Sequence, residues 1–150
     1  MRDSVREQRL ESLHRICRER GLVLTAQRRA VLQAVVALEN HPTADQVHAA
    51  LARRRSRVSR ATAFRTLESL ARLGVITRAC HPGTGVRYDW RTEMHHHLVC
   101  LSCDRVIDIS DARLDALPVP DTRRFGFVVS DFRVQLRGIC RRCRELEERK

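Results

Sequence analysis

Apolar residues recur at helical spacing through the first half of the chain. In the otherwise polar segment Ser4 to Arg20, Val5, Leu10, Leu13 and Ile16 form a loose stripe, and Gly21 follows as a stop. Thr25 caps a second expected helix, in which Val31, Leu32, Val35 and Leu38 share a face. After Pro42, Thr43 and Gln46 make a T-x-x-Q capping box for a third, which carries Val47, Ala50 and Leu51. Ser59 caps a fourth, expected to turn Phe64, Leu67, Leu70 and Ala71 inward before Gly74 ends it. The pattern then shortens. Two β-like runs flank the turn-rich stretch HPGTG, MHHHLVC and RVIDIS read as extended, and RELEERK reads as a solvated helical tail.

The fourth helix is asymmetric. Its first turns, SRATAFRT, are basic and light on bulky apolar residues, whereas LESLARL is a core-facing pattern. A helix that enters the DNA major groove is built this way: the N-terminal residues reach base edges and the rest packs. Arg60 and Arg65 could each address a guanine or a phosphate, and Ser59 and Thr62 a phosphate. The following hairpin is then a candidate wing. Periodicity alone leaves a plain helical bundle with a hairpin open.

Charge sharpens this picture. The 150 residues carry a formal +11, and of 29 basic residues only Lys150 is lysine. Residues 1–84 hold 16 arginines against 7 acids, a balance of +9; residues 85–150 hold 13 basic residues against 11 acids, a balance of +2. Such an excess fits a polyanion, nucleic acid or an acidic membrane face. At 43% hydrophobic and 31% charged the composition is globular. No apolar run approaches the ~20 residues that span a bilayer. The first twenty residues lack an apolar signal core, so a cytoplasmic chain without a membrane partner is expected.

In a reducing compartment, cysteines more often bind metal than pair. Cys100-x-x-Cys103 and Cys140-x-x-Cys143 can complete a four-thiolate zinc site with no open position, hence structural. Two reducible disulfides, or unrelated thiols, are the alternatives. Cys17 and Cys80 have no partner at metal spacing and read as ordinary thiols. In an extended MHHHLVC, His95 and His97 share one face and make half of a metal site, while His96 takes the other face and is expected to meet solvent. Asp108 inside an apolar strand and Asp89 in RYDW are acids in costly positions. Spacing alone does not bring them to the histidines. An enzyme would need an acid/base beside an open metal. Glu93 is the only nearby glutamate, no H-E-x-x-H or H-x-E motif occurs, and no catalytic residue is assigned.

The segments LTAQRRAVLQAV, HPTADQVHAAL, VSRATAFRTLESLARLGVI, HHHLVCLSCDRVIDI and LRGICRRC, in this order and spacing, resemble the ferric uptake regulator family of bacterial metal-dependent repressors over roughly residues 10–145. The resemblance implies an α+β fold: a winged helix-turn-helix domain over 1–84, a hinge over 85–91, and a small α/β dimerisation domain with the four-cysteine zinc site over 92–150. It implies a homodimer on a palindromic operator, with Arg28, Ser59, Arg60, Thr62, Phe64 and Arg65 at the DNA. Position 64 holds Phe where the family usually has a Tyr.

Within the family, the peroxide-responsive branch uses three histidines and two aspartates as its regulatory metal site. The matching positions here are His41, Asp89, His95, His97 and Asp108. Iron-sensing members typically carry Glu at the places of Asp89 and Asp108, and zinc-sensing members Cys at that of Asp89. A third site of some members uses a His where Phe132 stands, so that site is not expected. Such a donor set suits Fe(II) or Mn(II). The resemblance implies that peroxide oxidises His41 or His95 in the iron form and releases DNA. The alternative is an iron- or manganese-responsive repressor of metal uptake without peroxide chemistry.

Overall fold

A computed structural model describes residues 2–39, 41–81 and 85–149. The chain divides into two compact units, Met1–Thr92 and Glu93–Lys150.

The first unit is a winged helix-turn-helix. Helices α1 (Arg2–Glu19), α2 (Ala26–Leu38), α3 (Ala44–Arg53) and α4 (Arg60–Arg72) precede a two-stranded antiparallel ribbon, β1 (Thr77–His81) and β2 (Gly85–Asp89). Local chemistry sets the helix starts. Thr25 Oγ1 accepts from Arg28 N, Ser59 Oγ from Thr62 N, and Thr43 and Gln46 exchange both bonds of a capping box. Past the end of α4, Gly74 takes φ +65, a left-handed conformation that favours glycine. One core joins the helices to the ribbon through Val31, Leu32, Val35, Val47, Leu51 and Leu70, with Ile76 and Tyr88 from the ribbon side. Each of these is at most 1% exposed, so the unit rests on ordinary apolar burial.

One sequence expectation changes here. Phe64 is not inward: it is 51% exposed, because the buried seam of α4 runs through Ala63, Thr66, Leu67 and Leu70. The segment read as a hinge, 85–91, begins with strand β2, which pairs with β1 in register Thr77–Asp89 to His81–Gly85. Trp90 packs on the helical core, with the Arg9 guanidinium 4.3 Å above its ring. The wing tip, residues 82–84 of HPGTG, lies outside the described residues, as does the Cys80 side chain. Cys17 is fully buried in the core, which pushes its thiol pKa up.

The second unit is a three-stranded sheet ordered β4 (Val106–Ile109), β3 (His96–Cys100), β5 (Gln135–Gly138). β3 runs antiparallel to β4 and parallel to β5. A one-turn helix α5 (Ala112–Asp115), a 3-10 turn at Arg123–Phe125 and helix α6 (Arg141–Glu147) complete it. Pleating sends His95, His97 and Asp108 to one face and His96, Leu98, Ile107 and Leu136 to the other.

Candidate functional site

In the second unit the four sulfurs of Cys100, Cys103, Cys140 and Cys143 lie within 4.8 Å of one another. Cys100 Sγ is 3.9 Å from Cys143 Sγ, and Cys103 Sγ is 3.8 Å from Cys140 Sγ. A tetrahedral zinc with ~2.3 Å bonds needs sulfurs about 3.8 Å apart, so the cluster fits that ion. Disulfide bonds would need sulfurs at ~2.05 Å, and these cysteines are free. The pairing joins the β3–β4 turn to the start of α6. The Cys140 backbone N–H donates to Cys100 Sγ at 3.3 Å, and with the Cys103 backbone it draws that thiol down to about 6.

The sheet face of the same unit carries a second donor set. His97 lies across from Asp108 in the β3–β4 register. His95 Nε2 and His97 Nε2 are 3.1 Å apart, with their rings edge to face. Asp108 Oδ1 is 3.8 Å from each. His95 Nδ1 sits 2.7 Å from the Glu93 carbonyl. Donating there places the ring proton on Nδ1 and the lone pair on Nε2, the atom that faces His97. Glu93 thus acts through its backbone, not its carboxylate. Neighbouring donors around an ion held at ~2.1 Å lie about 3 Å apart, and the His95–His97 pair matches that spacing.

The first unit holds a smaller donor set. β2 is fastened to the α2–α3 connection by a Thr43–Arg87 bridge and by Tyr88 N donating to Pro42 O at 2.9 Å. Arg87 Nη1 also donates to His41 O at 3.1 Å. These bonds set His41 beside Asp89, Nε2 to Oδ2 at 3.2 Å, with both side chains buried. His41 has φ 46, a left-handed backbone that a non-glycine residue adopts under local constraint.

His96 corrects an expectation. It does lie on the opposite face, but it is fully buried instead of solvent-facing. Its Nε2 is 2.9 Å from Asp115 Oδ1, its Nδ1 accepts from Val134 N at 3.0 Å, and Phe132 lies 6.2 Å from its ring centre. These partners, an acceptor and a donor, lie 19 and 38 residues away, so nothing in the local run HHH announced them.

The expected DNA contacts fall on two parts of the first unit. Arg28, Thr62 and Arg65 share a hollow of about 300 Å³ with Thr25 and Gln27. Arg28 Nη1 is tied to Val23 O at 2.8 Å, and Ser59 Oγ donates to Thr62 Oγ1 at 2.9 Å. Arg60 and Phe64 line a separate groove of about 710 Å³ between α4 and β2. One residue escaped the sequence reading: Asp45 of α3 binds Arg60 in a bidentate pair. Glu68 is another, since its two oxygens take Tyr88 Oη at 2.8 Å and Arg78 Nη1 at 3.3 Å, joining α4 to both ribbon strands.

Known proteins match this arrangement. The model of the "Ferric uptake regulator family" covers residues 19–137. A "Peroxide-responsive repressor PerR" of Staphylococcus epidermidis is 27% identical over 128 residues, 85% of each chain. The ferric uptake regulator of Francisella tularensis, solved with iron, superposes with TM-score 0.69 at 25% identity, covering 83% of this chain and 96% of that one. The Campylobacter jejuni peroxide stress regulator gives TM-score 0.64 at 25% identity, covering 89% and 98%. The family match spans most of the chain, including the winged helix and the His/Asp donors, and the chain belongs to the ferric uptake regulator family.

Proposed function

We propose that this chain is a metal-dependent transcriptional repressor that senses peroxide. The observation that carries the reading is the division of donors. His95, His97 and Asp108 form an incomplete metal site on one unit. His41 and Asp89 form another on the unit that bears the recognition helix. One Fe(II) or Mn(II) ion held by both sets would fix the angle between the 1–84 and 92–150 domains across the 85–91 hinge. Metal binding then selects one arrangement from an ensemble. A tenfold preference for that arrangement moves the equilibrium by about 1.4 kcal/mol.

A homodimer needs its recognition helices about one DNA turn apart, ~34 Å, to read the two halves of a palindromic operator. The sheet face opposite the donors supports a dimer: Leu98, Ile107 and Leu136 are aligned across three strands and each about two-fifths exposed. Such a row is costly in water and is buried by a second copy. The four-cysteine site holds structural zinc apart from the switch. Among the described residues no helix is long and apolar enough to cross a membrane.

His41, Asp89, His95, His97 and Asp108 would hold Fe(II), which would supply the one-electron chemistry that splits hydrogen peroxide; overall the imidazole of His41 or His95 would be the two-electron reductant, its ring C–H becoming C–OH while the second peroxide oxygen leaves as water. The chain's own part is to hold the imidazoles at the ion. His95 is oriented for this by the Glu93 carbonyl. An imidazole that has gained oxygen is a weaker donor, so the ion and then the DNA are released. Mn(II) gives the same shape without this sensitivity.

The test loads the protein with Fe(II) or Mn(II), adds stoichiometric peroxide, and follows operator binding with peptide mass. Loss of binding with one added oxygen on His41 or His95, in the iron form only, is expected. Persistent binding with unmodified histidines leaves iron- or manganese-responsive repression of metal uptake in its place.

A further inference from the structure

Arg60 is the first residue of α4, where the helix dipole disfavours a cation. It is nevertheless held there. Its Nε donates to Asp45 Oδ1 at 2.6 Å and its Nη2 to Asp45 Oδ2 at 3.0 Å. Asp45 sits in the first turn of α3, fifteen residues earlier. The pair is open to solvent, with side-chain exposures of 72% and 65%. Arg60 holds the Asp45 carboxyl below the usual carboxylate range, so the pair stays ionised through neutral pH.

An exposed pair of this kind adds little to stability. Its geometry matters more. A guanidinium has two forked edges: a side edge of Nε and Nη2, and an end edge of Nη1 and Nη2. The carboxylate occupies the side edge. The end edge, Nη1 with the second Nη2 hydrogen, takes no part in the pair, and Arg60 lines one groove with Asp45, Ala61, Phe64 and Val86. The charge of the pair is zero, so Arg60 adds nothing to long-range attraction for phosphates, yet it keeps two parallel donors. Two parallel donors match guanine O6 and N7.

We propose that Asp45 is a specificity-determining residue, which turns Arg60 from a phosphate clamp into an end-on reader of one guanine in each operator half-site. The proposal rests on the DNA-binding reading above. Asp45 positions the side chain and touches no base itself. Arg28 and Arg65 line the other hollow.

The test uses the full chain loaded with Mn(II). Wild-type protein selects its preferred sequence from a random pool of DNA duplexes. Wild type, Asp45→Asn, Arg60→Ala and the double variant are then titrated, over a salt series, against the selected duplex, a scrambled one, and variants with each guanine replaced. For Asp45→Asn, binding of scrambled DNA should tighten several-fold, with a log–log salt slope steeper by about 0.9, one added phosphate contact. Preference for one guanine, on the order of tenfold in the wild type, should fall toward none. Arg60→Ala should lose the same guanine preference, and Asp45→Asn should add nothing in that background.

Equal tightening on selected and scrambled DNA overturns the proposal, because a removed negative charge would explain it. So does the same effect of Asp45→Asn with and without Arg60, or an unchanged guanine preference. Wild-type protein that selects no sequence defeats the DNA-binding reading itself, a result distinct from a failure of Asp45 alone.

Discussion

His97 and Asp108 face each other across neighbouring strands, His97 Nε2 lying 3.8 Å from Asp108 Oδ1. The register that aligns them also leaves His95, two residues earlier, on the same face. A strand slipped by one residue would send His97 to the other face and break the set. Any metal affinity of this set would therefore be tied to sheet register.

Replacing His97 with Ala, or Asp108 with Asn, should weaken Mn(II) binding by more than the roughly 10–100-fold typical of losing an outer partner. Zinc content should stay at one ion per chain. Calorimetric titration of the zinc-loaded protein checks this; a change under tenfold would remove these residues from the site.

The four-cysteine cluster makes a separate prediction. It joins the 100–103 turn to residues 140–143, so zinc binding is part of the folding energy of the second unit. Cys103→Ser, or a strong chelator, should lower the melting of that unit while the helical core of the first keeps its own transition. Circular dichroism beside a thiol-triggered zinc-release assay resolves the two. The regulatory site should lose Mn(II) under the same treatment, since His97 stands on the strand that ends at Cys100.

Tyr88 should matter for stability through one bond. Its ring is 1% exposed and its hydroxyl donates to Glu68 Oε1 at 2.8 Å. Burial and this bond raise its pKa, so the phenol stays protonated throughout the neutral range. Tyr88→Phe keeps the ring and removes the bond, at a cost of about 1 kcal/mol. Urea unfolding should show the midpoint shift with an unchanged slope.

Much of the first unit was legible because its signals are local. Thr25, Thr43 with Gln46, and Ser59 bond atoms three residues away, and their caps appear where the pattern placed them. Phe64 was misjudged because helical spacing admits two adjacent seams, and only packing against α2 and α3 decides that Ala63 lies inside. In the second unit, the alternation of His95 and His97 was readable. The burial of His96 was not, because it depends on Asp115 and Val134, far off in sequence. Strand β5 and helix α5 gave little pattern. β5 has four residues, two of them Gln and Arg, and a parallel partner. The Asp45–Arg60 pair left no sequence trace either, since two surface charges fifteen residues apart have no fixed meaning until α3 and α4 are packed.

The dimer can be tested on the exposed row. Leu136→Arg or Leu98→Arg should give a monomer by sedimentation at concentrations where the wild type is a dimer. Metal and zinc binding should survive, because the row lies on the face opposite His97. A dimer that persists in both variants would place the interface elsewhere.

That row of leucines and isoleucine also bears on gene dosage. If the proposed dimer pairs through this row alone, its small apolar area would leave subunit exchange within the operator equilibrium. Below the dimer dissociation constant, halving the chain would cut the operator-bound form roughly fourfold, by mass action. The repressor would then report its own abundance together with its metal, and a cell that diluted it by growth would relax repression before any signal arrived.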